Sequence, residues 1–570
     1  MLFEIKLKAA IPNANKPVKI LKVHHQLGAV VQEGDVLFDA EGEKGTVAIK
    51  AVASGVIQSL SVEEGAAVTA DAVLAIIDGK QQARSQPSTP SDFNYFGNLV
   101  KAVKQELECD IAIIGGGPGG YVAAIKAAQM GAKVVLIEKD ALGGTCLNRG
   151  CIPTKSFVRS AQVLNTVKHS GAFGVLTEGA AVDMKRVVGQ KNTVVSQLTA
   201  GIQHLLARNG VTVVDGIGMF QDDHTIMVKR KNGETTVTAK KFIIATGSKP
   251  ARIPISGIDL NQVITSDQAL QLEKLPRSIV IIGGGVIGME FAFIFANFGV
   301  EISVIEALEQ CLVTCDDDIC AENVRHAKSK GIHIFTGAKV NEIIKTETGE
   351  CLVSFTQNQT SKYIPAELVL LSVGRKPYTE ELGLEQLGIQ LNERGQGIAV
   401  NDKMQTNIPH IYAIGDVTNK LQLAHVASHQ GLIAARNILG EPCTMDYSVI
   451  PGAIFTDPEI ATVGMCEKSA RQAGVDIAVG KFPFIANGKA LTYGEAGGFV
   501  KLIADKTTGK IIGGSIIGLH ATDLIAEIAL AVQNGLTIEQ LSETIHAHPT
   551  TAEVMPEAAL AALGRAIHLA

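Results

Sequence analysis

Long apolar runs, an excess of charge and a dense set of cysteines are all missing from this sequence. The run of roughly eighteen apolar residues that a membrane-spanning helix needs does not occur, and the first residues lack the apolar segment of a secretion signal. The net charge of the 570 residues is only −6 and 46% of them are apolar, which favours neither nucleic acid nor an anionic membrane as a partner. These absences predict a cytoplasmic protein with an ordinary soluble surface.

Cysteine is scarce, and nine in so long a chain do not make a disulfide framework. A close pair is therefore more typical of redox or metal chemistry, and the stretch GGTCLNRGCIPTK holds one, Cys146 and Cys151. In a regular helix this spacing separates the Cα atoms by roughly 8 to 9 Å, beyond the roughly 7 Å that a disulfide tolerates. A bridge would need an irregular turn, which Gly150 and Pro153 permit. Two buried free thiols are the alternative, and a metal site would need more ligands than are adjacent.

A second group of cysteines, Cys311, Cys315 and Cys320, lies beside the acidic run DDD. It could be a thiol or metal site, but thiols in a solvated loop and on a half-buried helix are the favoured interpretation.

The first eighty or so residues contain a weak internal repeat with an offset of thirty-seven, in which Gly28 and Val31 recur as Gly65 and Val68. Each half alternates short apolar stretches with glycine, so the two halves predict a small all-β sandwich over residues 1–79. The join between them, AEGEKGTV, predicts an exposed hairpin with Lys44 at its tip. The polar, proline-containing residues that follow predict a flexible linker over 80–108.

From Cys109 the pattern becomes α/β, and two stretches each combine an apolar strand, a glycine turn, a small-residue helix and a second strand that ends in glutamate. Such G-x-G-x-x-G turns let the backbone and a helix N-terminus approach a pyrophosphate, while the acid receives ribose hydroxyls. The two sets are Gly115, Gly117, Gly120 and Glu138, and Gly283, Gly285, Gly288 and Glu306. Two dinucleotide sites are predicted, and NAD is favoured over NADP at the second because no arginine stands just behind Glu306.

Residues 109–570 resemble the flavin disulfide reductases, and among them the dihydrolipoamide dehydrogenase family. The resemblance rests on GGTCLNRGCIPTK, IIATGSKP, LLSVGRKP, IYAIGDV, LAHVASHQG, FTDPEIATVG and HAHPTTAE. It implies two Rossmann-like dinucleotide-binding domains and a C-terminal α+β dimerisation domain. The implied ranges are 109–255 and 377–446 for the FAD-binding part, 256–376 for NAD and 447–570 for the dimer interface.

The resemblance also implies roles for residues. Cys146 would exchange with substrate, and Cys151 would face the flavin as a thiolate, the two forming a redox disulfide. Lys155 would lie near the flavin and pair with Glu290. Further FAD contacts would be Gly144, Thr145, Gly218, Thr246, Gly247, Ser248, Asp416, Leu423, Ala424 and His425, and the NAD+ contacts would include Glu290, Val340 and Gly374.

The motif HAHPTTAE carries the acid–base prediction. A dithiol must lose a proton before it attacks a disulfide, and an imidazole held by a carboxylate suits that task near neutral pH. By the resemblance these groups are His548 and Glu553, supplied by the other subunit of a homodimer, while His546 is structural or supportive. Two departures from the family pattern, Gln430 and Tyr378, are expected to bear on nicotinamide affinity rather than on the chemistry.

Close alternatives share the predicted fold. A mercuric reductase-like enzyme would need cysteine pairs near both termini, and a glutathione reductase-like enzyme would need basic residues near Glu306; neither set is found. A non-catalytic scaffold would have lost a cysteine, the base or a glycine turn. The predicted activity is therefore oxidation of dihydrolipoyl groups with FAD and NAD+, for a lipoyl-carrying acyltransferase or H-protein of a 2-oxo acid, acetoin or glycine cleavage complex.

The N-terminal stretch around Lys44 resembles the lipoyl and biotinyl carrier domains. A biotin site would usually have methionines beside its lysine, and none is present, so a lipoyl group on Lys44 is expected. Gly42, Glu43 and Gly45 depart from the usual lipoyl pattern, and the alternative is an unmodified docking domain.

Overall fold

This computed structural model describes residues 2–7, 17–31, 34–42, 45–69, 72–80, 103–393 and 395–569. The chain divides into two compact units, residues 1–100 and 101–570. Lys44 and residues 81–102 of the predicted linker lie outside the described residues, whereas its last residues, 103–108, belong to a strand and not to a flexible segment. No helix in the described ranges is long and apolar enough to cross a membrane.

The first unit is built only of strands. They are β1 (Leu2–Lys6), β2 (Val18–Val23), β3 (Val30–Val31), β4 (Val36–Gly42), β5 (Gly45–Lys50), β6 (Ser54–Leu60), β7 (Ala67–Val68) and β8 (Val73–Lys80). Two four-stranded sheets form, in the orders β1-β8-β6-β3 and β5-β4-β2-β7. Alternating apolar residues of both sheets, such as Phe38 and Leu74, are fully buried between them. The predicted sandwich is confirmed.

The hairpin of β4 and β5 remains paired up to Gly42 and Gly45. Its two connecting residues, Glu43 and Lys44, lie outside the described part of the chain. The strands on either side therefore agree with the predicted hairpin, while its tip is not described.

The second unit has many elements. Its first part contains β9 (Val103–Ile114), α1 (Pro118–Gln129), β10 (Val134–Glu138), α2 (Gly144–Arg149), α3 (Cys151–Lys168), α4 (Met184–Arg208), β11 (Thr212–Asp215), β12 (Ile217–Asp222), β13 (Thr225–Arg230), β14 (Gly233–Ile244) and β15 (Ser248–Pro250). The next part contains β16 (Val263–Thr265), α5 (Ser266–Ala269), β17 (Ser278–Ile282), α6 (Val286–Phe298), β18 (Glu301–Ile305), α7 (Asp317–Ser329), β19 (His333–Phe335), β20 (Ala338–Lys345), β21 (Cys351–Gln357), β22 (Thr360–Ala366), β23 (Leu368–Leu371) and β24 (Arg375–Pro377).

The remaining elements complete this unit. They are α8 (Leu384–Leu387), β25 (Ile411–Ala413), α9 (Ala424–Ile438), β26 (Gly452–Ile454), β27 (Glu459–Gly464), α10 (Glu467–Gln472), β28 (Ile477–Pro483), α11 (Gly488–Tyr493), β29 (Phe499–Asp505), β30 (Ile511–Gly518), α12 (Ala521–Gln533), α13 (Ile538–Ser542) and α14 (Val554–Ala562). Short 3-10 helices span Ser170–Phe173, Gly415–Thr418, Phe484–Ala486 and Thr551–Glu553.

Two parallel sheets carry the two glycine turns. In the first sheet β11, β10, β9, β14 and β25 run parallel, with β13 and β12 added antiparallel at one side. The second sheet has the order β16-β23-β17-β18-β19, and all its strands are parallel. In each sheet the strand before the turn lies next to the strand that leads to the glutamate, which is the last residue of β10 and the residue after β18. The turn and the acid therefore meet at one sheet edge.

The C-terminal part is an antiparallel sheet in the order β26-β27-β30-β29-β28, with α12 and α14 packed on it. Large apolar side chains remain exposed here in the single chain, and Ile545 is 97% exposed and Leu530 62%. The predicted fold class, an α/β chain with two Rossmann-like parts, an α+β C-terminal part and a small all-β sandwich, is confirmed.

Candidate active site

A cavity of about 1330 Å³ opens within the second unit, between the two glycine turns. Residues from both turns, both close cysteines and the segment around Asp416 line it. Of the residues predicted to bind FAD or NAD+, all line this cavity except Gly120, Gly288 and His425. Residues more than 250 positions apart in the sequence therefore converge on one space.

The first glycine turn is too tight for a side chain at Gly115 or Gly120. Gly115 has a φ of +107°, and a Cβ on Gly120 would lie 1.8 Å from the Gly115 carbonyl oxygen. Oε2 of Glu138 accepts a hydrogen bond of 2.6 Å from the Gly116 N–H, and its Oε1 accepts one of 2.8 Å from Asp140 N–H. Burial raises the pKa of Glu138. The turn thus presents bare backbone and the N-terminus of α1 to the cavity, which fits the pyrophosphate of a dinucleotide such as FAD.

The second turn repeats this geometry. A Cβ on Gly288 would lie 2.0 Å from the Gly283 carbonyl oxygen. Oε2 of Glu306 accepts a 2.6 Å bond from Gly284 N–H, and its Oε1 accepts a 2.8 Å bond from Leu308 N–H. The hydroxyl of Ser372, which sequence reasoning missed, donates to the Gly283 carbonyl at 2.9 Å. This turn likewise fits a dinucleotide.

The close cysteines flank a break between two helices. Helix α2 ends at Arg149, and α3 starts at Cys151 after Gly150, whose φ and ψ are −131° and −116°. A Cβ on Gly150 would lie 2.9 Å from the Thr145 carbonyl oxygen, so glycine lets the two helices approach closely. The irregular turn that a bridge between Cys146 and Cys151 would require is present.

Both cysteines are thiols here, and they differ in acidity. The hydrogen bond from the Cys146 thiol lowers the pKa of Cys151 to about 7, against the effect of burial and with help from the charge of Lys155. The same hydrogen bond raises the pKa of Cys146, and burial adds to the rise. Cys151 is therefore the thiolate of the pair near neutral pH.

An ion pair joins the two nucleotide-binding parts beside the thiols. Nζ of Lys155 lies 3.0 Å from Oε1 and 3.1 Å from Oε2 of Glu290, and the Glu290 side chain is only 6% exposed. The Phe455 N–H donates to Oε1 of Glu290 at 2.9 Å, and the Phe455 ring centroid lies 4.2 Å from Nζ of Lys155. Glu290 on α6 and Phe455, directly after β26, thus fix the position of the charged Lys155 of α3 next to Cys151.

The segment around Asp416 is held by a chain of hydrogen bonds. The Ser248 hydroxyl donates to Oδ2 of Asp416 at 2.5 Å, and Nε of Arg375 donates to that hydroxyl at 2.7 Å. Burial raises the pKa of Asp416, and the hydrogen bond from Ser248 and the charge of Arg375 oppose the rise. Arg375 is a second residue that sequence reasoning missed, although it stands in the motif LLSVGRKP.

The two departures from the family pattern lie close to these groups. Gln430 is fully buried, accepts a 2.6 Å bond from Gly415 N–H and donates at 2.9 Å to the Tyr447 hydroxyl. It supports the turn that carries Asp416, so its contacts are with that turn and not with the second glycine turn. Tyr378 lines the cavity, with Nζ of Lys139 3.6 Å from its ring centroid.

His548 and Glu553, the predicted acid–base pair, contact each other but do not line the cavity that holds Cys146 and Cys151. Nδ1 of His548 lies 2.9 Å from Oε1 of Glu553, and the His548 side chain is 81% exposed. Hydrogen bonds from Thr550 N–H and from His548 lower the pKa of Glu553. Neither His548 nor Glu553 is among the described residues that line the cavity. His546 pairs instead with Glu527 at 2.7 Å.

The prediction that Cys311, Cys315 and Cys320 are thiols of a solvated loop and a half-buried helix is wrong in their exposure. All three are buried, and burial raises their pKa values to about 12, 11 and 12 respectively. Cys311 packs under the second glycine turn, where a Cβ on Gly284 would lie 2.4 Å from its sulfur. All three thiols belong to one buried apolar cluster.

Comparison with known proteins agrees with this arrangement. Residues 109–431 match the family described as pyridine nucleotide-disulphide oxidoreductase, and residues 450–559 match that family's dimerisation domain. The chain belongs to the pyridine nucleotide-disulphide oxidoreductase family. Membership implies FAD and a pyridine nucleotide as cofactors, and the tight glycine turns fit both. Residues 8–77 match a domain described as biotin-requiring enzyme, the biotinyl and lipoyl type.

Several curated relatives within the pyridine nucleotide-disulphide oxidoreductases are similar over most of the chain. A dihydrolipoyl dehydrogenase of Bacillus subtilis is 46% identical over 473 residues, which are 81% of this chain and 99% of the relative. One of Geobacillus stearothermophilus is 42% identical over 81% of this chain and 98% of the relative. One of Halobacterium salinarum is 40% identical over 80% and 97%.

Solved structures of this oxidoreductase family agree. LpdA of Mycobacterium tuberculosis has a TM-score of 0.74 at 30% identity, covering 80% of this chain and 99% of that one. The HOCl-induced flavoprotein disulfide reductase RclA of Escherichia coli, as its Cu(II) complex, has a TM-score of 0.72 at 31% identity, covering 79% and 99%. The chain is an oxidoreductase of this family with an added N-terminal domain.

Proposed function

We propose that this protein is a dihydrolipoyl dehydrogenase that oxidises protein-bound dihydrolipoyl groups and reduces NAD+. The observation that carries the proposal is the unequal thiol pair beside Lys155 and Glu290, in a cavity shared by both glycine turns. The relatives named dihydrolipoyl dehydrogenase support it through their similarity over 81% of the chain. The ranges 109–255 and 377–446 for FAD, 256–376 for NAD and 447–570 for the dimer interface are part of the proposal.

The cysteines would work from the oxidised pair. A substrate thiolate attacks the sulfur of Cys146, forms a mixed disulfide and releases Cys151 as a thiolate. The second thiolate of the same substrate then attacks the substrate sulfur of this mixed disulfide. This step closes the lipoyl disulfide and releases Cys146, which takes up a proton. Two electrons pass from the substrate to the cysteine pair. The low pKa of Cys151 makes it the better leaving group in the first step.

The electron pair then has to leave the cysteines. FAD, when bound, would supply the redox chemistry that carries the pair to a pyridine nucleotide. Bare backbone at Gly115 and Gly117, with Glu138 behind it, would hold the pyrophosphate end of FAD, and Asp416 the ribityl end. Lys155, fixed by Glu290, would hold the Cys151 thiolate at the flavin ring.

His548 would move the protons of the substrate dithiol. Glu553 keeps the imidazole oriented through Nδ1, which leaves Nε2 to accept a proton from a thiol. Because this pair does not line the cavity of its own chain, a homodimer is needed in which His548 of one copy reaches Cys146 of the other. The match to the dimerisation domain supports this arrangement.

NAD+ is the proposed acceptor rather than NADP+. Both oxygens of Glu306 are tied to backbone N–H groups at the second turn, where its negative charge would repel a 2′-phosphate. A comparison of the rates with NAD+ and NADP+ at equal concentrations tests this point.

The N-terminal domain is proposed to carry lipoate on Lys44. The β4–β5 hairpin and the carrier-domain match support this, since the lysine would stand at the hairpin tip. A carrier on the same polypeptide has a high effective concentration at the reductase. The mass of residues 1–80 released from the native protein tests the proposal, and an unshifted mass would refute it.

The remaining proposals concern the cellular setting. The partner would be a lipoyl-carrying acyltransferase or H-protein in the cytoplasm, and co-purification from the native source would identify it.

The activity itself is tested with dihydrolipoamide, from which the purified enzyme with FAD should form NADH. Cys151→Ser should abolish this, while Cys443→Ser, at a half-buried thiol outside the cavity, should not. Undiminished turnover of Cys151→Ser, or no NADH from the wild-type holoenzyme, would contradict the proposal.

A further inference from the structure

A group of metal-binding side chains lies outside the cavity and plays no part in the proposed reaction. Asp223 and His224 form the turn between β12 and β13, and His410 directly precedes β25. One oxygen of Asp223 and one ring nitrogen of each histidine lie within 4.8 Å of one another. In the described part of the chain no other set of His, Cys, Asp or Glu meets this condition.

The two imidazoles are held together by packing. Their ring centroids are 4.4 Å apart and their planes differ by 3°. The buried ring of Phe242 lies under both, with centroids 6.3 Å from His410 and 6.5 Å from His224. The His410 side chain is 17% exposed, whereas that of Asp223 is 56% exposed. The group is therefore packed against the Phe242 ring on one side and exposed to solvent on the other.

Hydrogen bonds orient each ring. Nδ1 of His224 lies 3.2 Å from the Ala239 carbonyl oxygen, and a proton on Nδ1 leaves the Nε2 lone pair for a ligand. Nε2 of His410 lies 2.7 Å from the carbonyl oxygen of Asp223 and 3.7 Å from its Oδ2. If this bond is made by a proton on Nε2, then Nδ1 of His410 is left for the ion. A backbone carbonyl bonded to the ring nitrogen that does not bind the metal is a usual support of a metal-binding histidine.

We infer that Asp223, His224 and His410 bind one divalent transition metal ion of the zinc class. Imidazole and carboxylate are ligands that Zn²⁺ accepts in a tetrahedral set, with water at the fourth position. Bonds of about 2.0 to 2.2 Å put tetrahedral ligands roughly 3.4 Å apart. The ligand atoms lie within 4.8 Å of one another, so the group must contract by up to about 1.4 Å and the rings must tilt from their parallel stack. The exposed turn of His224 leaves room for that movement.

Solvent reaches the site directly. A small cavity of about 500 Å³ adjoins it, lined by Gln221, Asp222, Asp223, Gln386, Leu387 and Ile408. The second carboxylate, that of Asp222, accepts a 2.8 Å bond from His224 N–H and adds negative charge at the entrance. A hydrated cation therefore has both a route and an attractive field.

Binding would link two distant segments. His410 and Asp223 are 187 residues apart, and β25 leads directly from His410 to the turn of Asp416. An ion shared by the two segments would stabilise the first parallel sheet, because a ligand that binds only the folded state raises its stability.

The experiment is a calorimetric titration of the full-length holoenzyme with Zn²⁺, after Cys146 and Cys151 have been oxidised so that they cannot bind the ion. One site per chain and a rise in melting temperature are expected. His224→Ala and Asp223→Asn should each weaken binding by more than about tenfold. His204→Ala, at an exposed histidine on α4, is the matched control and should bind as the wild type does.

Two results would overturn the inference. One is the absence of a Zn²⁺ site in the oxidised wild type, and the other is equal affinity in wild type and His224→Ala. Because His224 is exposed, that variant should fold and retain flavin, which flavin absorbance verifies. Asp223→Asn supplies a second test with almost unchanged side-chain volume.

Discussion

Lys501 and Asp316 form an ion pair of 2.7 Å whose side chains are only 2% and 5% exposed. Lys501 lies on β29 and Asp316 at the start of α7, so the pair joins the C-terminal part to the second parallel sheet. Asp318 adds a second bond to Nζ of Lys501, also 2.7 Å long. Burial disfavours the charged lysine, but the bonds to Asp316 and Asp318 outweigh it, and the pKa of Lys501 is raised.

Lys501→Met should destabilise the protein by about 3 to 5 kcal/mol, because it leaves the buried carboxylate of Asp316 without its cation. Lys506→Met, which removes an exposed pair with Asp476, should cost less than about 1 kcal/mol. Chemical denaturation followed by far-ultraviolet circular dichroism measures both. Since the pKa of Lys501 is raised above 10.5, its contribution is full below that pH and is lost as the pH rises further. Equal effects of the two substitutions would contradict this account.

Cys146→Ala should raise the pKa of Cys151, because it removes the hydrogen bond that most lowers it. If burial, Lys155 and Glu290 keep their present effects, the pKa of Cys151 should move from about 7 towards the ordinary value of 9.0. At pH 7 the thiolate fraction would then fall from about one half to about one hundredth. The pH dependence of alkylation by iodoacetamide measures the change in the reduced enzyme. Cys146→Ser keeps a donor and should show a smaller shift, and an unchanged midpoint in Cys146→Ala would contradict the prediction.

Lys155 and Glu290 should have opposite effects on the same titration. Lys155 lowers the pKa of Cys151 and Glu290 raises it. Lys155→Met should therefore shift the alkylation midpoint to higher pH, and Glu290→Gln to lower pH. Lys155→Met should also cost about 3 kcal/mol in stability, because Glu290 is left buried and unpaired. Shifts of the same sign would show that the pair acts only through the fold.

Gly120→Ala and Gly288→Ala should separate the two nucleotide sites. A methyl group at either position meets a carbonyl oxygen at 1.8 or 2.0 Å, so the turn must open. Gly120→Ala should lose flavin on purification, seen as lost visible absorbance. Gly288→Ala should keep flavin but bind NAD+ more than about tenfold more weakly, a loss of roughly 1.4 kcal/mol. Gly201→Ala, with no atom within 4 Å of the added carbon, is the control. Loss of flavin from Gly288→Ala would contradict the assignment.

Two inactive variants should restore activity when combined. His548→Gln should lower kcat by about 10² to 10⁴, as expected for loss of an acid–base group. Cys151→Ser should abolish turnover. If each site uses the thiols of one chain and the imidazole of the other, refolding the two variants together gives about a quarter of wild-type activity, from heterodimers with one intact site. No recovery in verified heterodimers would place both groups in one chain's site.

Local patterns predicted the parts of the site that are continuous in sequence. Each glycine turn and its acid lie on one βαβ unit, so Gly115 and Glu138 could be joined from spacing alone. The contact of Lys155 with Glu290 came only from the family resemblance, because 135 residues separate them.

Other features depend on contacts that no local pattern records. Arg375 lies 127 residues from Ser248, yet holds the hydroxyl that supports Asp416. In the sequence Lys501 is one more charged residue on a strand. It is buried because α7 packs against β30, the strand paired with β29. The prediction for Cys311 failed for the same reason, since a loop thiol is buried only if the loop folds under Gly284.

The likeness of the two glycine turns bears on the history of the chain. Gly115 and Gly283 have φ angles of +107° and +105°, and Glu138 and Glu306 receive bonds of the same 2.6 Å length from the same turn position. Such agreement is what duplication of one ancestral nucleotide-binding unit would leave behind. After such an event one copy could specialise in binding a cofactor permanently, while the other retained the weaker binding that a diffusing cosubstrate requires.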